Sequence, residues 1–144
     1  MLLKPYIEEN AIAYAVAMVD NTEIDSINIL NASFLAMHRA ISCLSATPQQ
    51  LLIDGNRFNA YKDIPHQCII KGDSKYAAIA AASVLAKTSR DMYMEQLAES
   101  YPAYGWKRNK GYPTKQHRLA IKEYGPSPFH RKSFRWYDEQ PELF

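Results

Sequence analysis

Apolar and polar positions divide the chain into segments of different period. Leu2 to Asn10 reads as the last turns of a helix, with no capping residue ahead of it and with Pro5 tolerable only in a first turn. Ala11 to Val19 is almost wholly apolar and alternates in size, which predicts a strand covered on both faces. A helix is expected to begin near Asp25, the best-placed cap. Ile27, Leu30, Phe34, Met37, Ile41 and Leu44 then recur every three or four residues, as an apolar stripe facing a sheet would. Gln50 to Ile53 predicts a short buried strand, broken by Asp54-Gly55-Asn56. Arg57 to Pro65 reads as loop, and His66 to Ile70 as a further strand.

Tyr76 to about Glu99 is the longest helical stretch, and its alanine-dense first half, AAIAAASVLAK, lets other backbone approach closely. From Tyr101 to Thr114 the period gives way to Pro, Gly, Lys and Arg, which predicts a long exposed loop. Lys115 to Tyr124 is a short helix stopped by Gly125 and Pro126. Residues 126–144 form a tail with aromatic anchors, and Trp106 and Trp136 read as hydrophobic anchors. Strand, helix, two strands and helix, with nearly continuous apolar strands, argue a layered α/β fold. Three short strands make a thin sheet, so further strands or a partner surface are expected to complete it. There is no internal repeat. The chain reads as one partial domain, 1–144, with 103–144 as basic loop, short helix and tail.

Length agrees with this, since 144 residues suffice for one core. Cys43 and Cys68 have no metal-ligand spacing and are expected to be plain buried thiols of a reducing cytoplasm. The apolar run Ala11–Val19 is half the length of a membrane helix, and the start lacks the order of a signal peptide, so a cytoplasmic location is expected. Charge alters the picture more. Residues 1–102 hold eight Lys/Arg against eleven Asp/Glu, whereas 103–135 hold nine basic residues and one acid, Glu123. A basic block beside an acidic body suits a polyanion-binding surface next to a metal site, and equally a solvated basic face.

Asp54 follows the apolar run LLI, at the strand end where layered α/β proteins place ligands. Asp-Gly-Asn is also a common turn sequence. Asp73 follows the second strand and precedes the long helix, placed either to cap that helix or to bring a second carboxylate to the same edge. Two such groups suit Mg²⁺ or Mn²⁺, yet two are a meagre cage for the paired ions of phosphodiester hydrolysis. Tyr112 sits among Lys107, Arg108 and Lys110, where an exposed ring could stack on a nucleotide or pack on the last helix. His130-Arg131-Lys132 could meet phosphate or form a solvated turn. His117 and His130 have no zinc-ligand spacing, and His38 and His66 carry no signal.

Five runs taken in order resemble ribonuclease HII: EIDSINILNASFLAMHRAI at 23–41, LLIDGNR at 51–57, KGDSKYAAIAAASVLAKTSRD at 71–91, KGYPTKQH at 110–117 and HRKSF at 130–134. The resemblance covers essentially the whole chain. It implies a ribonuclease H-like α/β/α fold and a Mn²⁺- or Mg²⁺-dependent endonuclease, a monomer when full length. Such an enzyme cuts the RNA strand of RNA–DNA hybrids, and single ribonucleotides in duplex DNA, leaving 3′-hydroxyl and 5′-phosphate ends. By the same resemblance Asp54 matches the third catalytic, metal-binding aspartate and Asp73 the fourth acidic residue. Tyr112 matches the tyrosine that stacks on the sugar at the junction. The departure lies at the front. The family's adjacent Asp-Glu pair, its Gly-Arg-Gly-like segment and its Asn-Asp-Ser-Lys-like segment are not found, and Glu8-Glu9 sits at a helix end. The expected chain is therefore a family member truncated at its N-terminus, without its first strands. Its alternative reading is a catalytically inactive fragment or nucleic-acid-binding module.

Overall fold

Asp20 starts the first long helix by a reciprocal pair of bonds. Its carboxylate accepts from the Glu23 N–H at 2.8 Å, and the Glu23 carboxylate accepts from the Asp20 N–H at 3.1 Å. This capping box satisfies two backbone donors that the helix itself cannot. The computed structural model describes residues 3–112 and 114–130. In order these form helix α1 (Leu3–Asn10), helix α2 (Asn21–Ser42), strands β1 (Leu51–Asp54) and β2 (His66–Ile69), a 3₁₀ turn at Gly72–Ser74, and helix α3 (Ala77–Ser100). A second 3₁₀ turn (Pro102–Tyr104), helix α4 (Trp106–Asn109) and helix α5 (Lys115–Tyr124) follow. Arg131, Lys132 and Trp136 lie outside the described residues. The described residues form two compact units, one within 3–19 and 30–89, the other within 20–29 and 90–130.

In the first unit β1 and β2 pair in parallel, Leu51 opposite His66 through Asp54 opposite Ile69. Leu51, Ile53 and Ile69 are buried, as are Phe34 of α2 and Ile79 and Leu85 of α3. The connection between the strands is held by aromatic edges. Phe58 packs edge-on against Phe34, His38 and His66, and His38 Nε2 lies 2.8 Å from the Asn59 carbonyl. The two histidines without a sequence signal thus anchor this loop.

Helices and a parallel sheet give the expected α/β class, with several corrections. Ala11–Val19, predicted as a strand, takes no regular structure, because among the described residues no strand pairs with it. Its alternation survives: Ile12, Tyr14, Val16 and Met18 are exposed while Ala13, Ala15, Ala17 and Val19 are partly buried. α2 starts at Asn21, not near Asp25, and it is kinked at Asn28 (φ 69°, ψ 169°). The kink breaks the phase of the predicted stripe, so Leu30 is exposed while Ile24 and Ala32 are buried. Cys43 is exposed and Cys68 partly buried, so neither is the fully buried thiol expected.

The stretch Tyr101–Thr114 is not an exposed loop. Tyr104 and Trp106 are buried with Ala120 and Ile121 of α5, against Met94, Leu97, Ala98 and Tyr101. This is the core of the second unit. Isolated aromatics set among Pro, Gly and Lys show no period, so hydropathy alone could not find it. α5 occupies the predicted residues, with Thr114 Oγ1 accepting from the His117 N–H and the Gly125 N–H closing on Ile121.

Candidate carboxylate rim and nucleic-acid interface

At the end of β1 the buried face stops at Ile53 and the side chain of Asp54 reaches the exposed rim. Gly55, at φ +110°, turns the chain away, and its N–H donates to the Ile69 carbonyl at 2.9 Å. One Asp54 oxygen accepts from the Gly72 N–H at 3.0 Å. A side chain at position 72 would bring its Cβ within 2.6 Å of Ile79 Cδ1, so the tip of Ile79 would have to shift to admit it. Asp73 is the next residue and is exposed in the same turn. The sheet thus brings Asp54 and the turn carrying Asp73 to one rim, joined by the hydrogen bond from the Gly72 N–H to the Asp54 carboxylate.

The rim falls short of a metal cage. Among the described residues no group of three or more His, Cys, Asp or Glu could hold an ion. Mg²⁺ and Ca²⁺-like ions need about six oxygen ligands, and one Asp54 oxygen is already engaged. The expectation of a divalent-metal-assisted endonuclease is therefore corrected: among the described residues the carboxylates needed to hold and activate the ions are not assembled.

The second unit carries the basic face. Lys107 and Arg108 of α4 are exposed. Lys110 is less free than expected, since its ammonium pairs with the Glu95 carboxylate, which that bond and charge hold below the usual carboxylate range. The Tyr112 ring is 53% exposed, with the Arg90 guanidinium 5.2 Å from its centroid. The same guanidinium donates to the Lys110 carbonyl at 3.3 Å. The Tyr112 N–H donates to the Asn109 carbonyl at 2.9 Å, while buried Asn109 spans the turn, donating to Tyr104 O and accepting from the Gly111 N–H. The ring is thus backed by a cation, and about half of the residue is open to solvent. Arg90 was missed in the sequence because it lies on another helix; the resembling run 71–91 contained it.

His130 is turned inward, 5% exposed, and its ring nitrogens meet protein instead of solvent. Nδ1 accepts from the Ser127 N–H at 2.8 Å, so in the neutral ring the proton sits on Nε2. That Nε2 lies 3.1 Å from His117 Nε2, which also accepts from Trp106 Nε1–H at 3.2 Å. The His117 proton must then sit on Nδ1, where it donates to the Tyr112 carbonyl at 3.2 Å. Burial pushes His130 down to about 4, helped by its neighbour His117, and burial lowers His117 as well. The neutral pair is thus a directed chain of hydrogen bonds from Ser127 to Tyr112.

The family model for ribonuclease HII matches residues 2–136. The chain belongs to the ribonuclease HII family. It is 60% identical over 141 residues to a ribonuclease HII of Christiangramia forsetii, covering 98% of this chain and 71% of that one. It is 64% identical over 132 residues to a ribonuclease HII of Bacteroides thetaiotaomicron, covering 92% and 66%. Its fold matches the crystal structure of the ribonuclease H2 from Pyrococcus horikoshii OT3 with a TM-score of 0.75 at 22% identity, over 92% of this chain and 70% of that one. The ribonuclease HII lineage is enzymatic and its substrate class is nucleic acid. Among the described residues no helix is long and apolar enough to cross a membrane.

Proposed function

We propose that this chain is a nucleic-acid-binding portion of the ribonuclease HII fold that does not by itself assemble the metal centre for cleavage. The observation carrying this reading is the two-carboxylate rim without a third metal-capable group among the described residues. Its substrate is an RNA–DNA hybrid or ribonucleotide-containing duplex, met through Tyr112, Arg90, Lys107 and Arg108, with Arg131 and Lys132 extending the basic run. Lys110 contributes after exchanging its Glu95 partner for phosphate. Asp54 and the turn carrying Asp73 share one rim as two carboxylates, too few to hold Mn²⁺ or Mg²⁺ by themselves.

Binding of a fluorescein-labelled hybrid, read by anisotropy across a salt series, tests this. A few phosphate contacts predict a slope of log K against log salt of about −3. Lys107→Ala combined with Arg108→Ala flattens the slope by about 2. Product gels on the same samples in Mn²⁺ show no more than trace cleavage. Turnover comparable with the Bacteroides thetaiotaomicron relative assayed in parallel would overturn the proposal, and so would salt-insensitive binding.

A further inference from the structure

Two histidines buried in the second unit lie outside any reaction step, yet their bonds run in one direction to the exposed aromatic ring. From the proton positions derived above, we infer that His117, held in register by His130, is a positioning residue that fixes the backbone of Tyr112 for nucleic-acid binding. The inference rests on the reading that Tyr112 meets the substrate.

Tyr112 stands between two residues with left-handed or turned backbone, Lys110 and Gly111, and the helix α5. Such a segment has no helix or strand ladder to hold it, so its carbonyl needs a donor from elsewhere. Two donors reach it: the Thr114 N–H at 2.8 Å and His117 Nδ1–H at 3.2 Å. Only the second comes from a buried side chain whose orientation is itself set from behind. His117 Nε2 receives both Trp106 Nε1–H and His130 Nε2–H, and either contact would clash with a proton there. That forces the proton onto Nδ1, facing Tyr112. His130 in turn is fixed by Ser127, and its carbonyl accepts from Asn21 Nδ2 at 2.9 Å. The pair also packs against the Tyr104 ring, with His130 at 4.6 Å and His117 at 6.4 Å between centroids. A stacking ring confers affinity only if it is presented without an ordering cost, and this chain of bonds removes that cost in advance.

Substitutions at His117 separate positioning from packing. Asparagine places an amide N–H where Nδ1–H stands, while glutamine places its amide near Nε2 and leaves Tyr112 without that donor. Against a labelled RNA–DNA hybrid, Tyr112→Ala is expected to weaken binding about tenfold, and His117→Ala about threefold to tenfold. His117→Asn recovers most of the His117→Ala loss and His117→Gln recovers little, even though glutamine fills more of the buried volume. ¹⁵N spectra of the unmodified chain show His117 in the Nδ1–H form and His130 in the Nε2–H form. Should His117→Ala fail to fold, the asparagine–glutamine comparison and the spectra still decide. Equal binding by those two variants, binding that merely follows their melting temperatures, or an Nε2–H tautomer at His117 would overturn the inference. If Tyr112→Ala binds as tightly as the unmodified chain, the reading of Tyr112 beneath it fails first, which is a separate result from failure at His117 alone.

Discussion

At the scale of single residues, the aspartate at the end of β1 shows how one group can serve structure while its neighbour stays free. Asp54 accepts the Gly72 N–H in a partly buried setting, so Asp54→Ala leaves that donor without its partner. The expected loss is about 1–2 kcal/mol in a denaturant melt, and Asp54→Asn, which keeps an acceptor, loses less than half of that. Equal losses from both would show that the bond contributes nothing. The histidine pair supplies a pH dependence of definite sign. Both rings have lower affinity for protons when folded than the ordinary value of 6.5, His130 falling to about 4. The unfolded chain therefore takes up protons first as pH falls, and their contribution to stability is full above pH 6.5 and lost progressively down to about 4. Melting temperatures measured from pH 7 to 4 should fall over that window, and His130→Gln should flatten the decline. No local pattern points to this pair, since residues 13 positions apart meet only through the turn at Ser127.

Elements with a strong local signal were legible, and those that depend on a partner were not. α5 occupies the residues that Gly125 and Pro126 delimit, and β1 and β2 fall within a residue of the predicted strands Gln50–Ile53 and His66–Ile70. The start of α2 was misplaced although Asp20 and Glu23 carry the spacing of a capping box, because Asp25 lies closer to the apolar stripe. Ala11–Val19 failed for a different reason. A strand is a property of a pair, and propensity cannot form a ladder alone. What remains is a row of large apolar side chains facing water, with Ile12 at 97% exposure. Exposed apolar rows of this kind promote association. Replacing Ile12 and Val16 with lysine should lower concentration-dependent light scattering and leave the melting temperature within a few degrees. A large drop in melting temperature would mean that these side chains are packed in solution.

For the molecule as a whole, the fold class and the order of the family runs were readable, and so was the shortage of ligands. Two aspartates reach the rim, and among the described residues no third metal-capable group joins them. Less legible was that the basic stretch is folded, because its core consists of a few aromatics set at irregular intervals. The most direct test of the account is calorimetric titration of Mn²⁺ into the purified 144-residue chain saturated with hybrid, with product analysis of the same sample. A two-carboxylate rim predicts binding no tighter than about the millimolar range, and an uncut strand. Micromolar binding of two ions per chain, accompanied by stoichiometric cleavage, would contradict it.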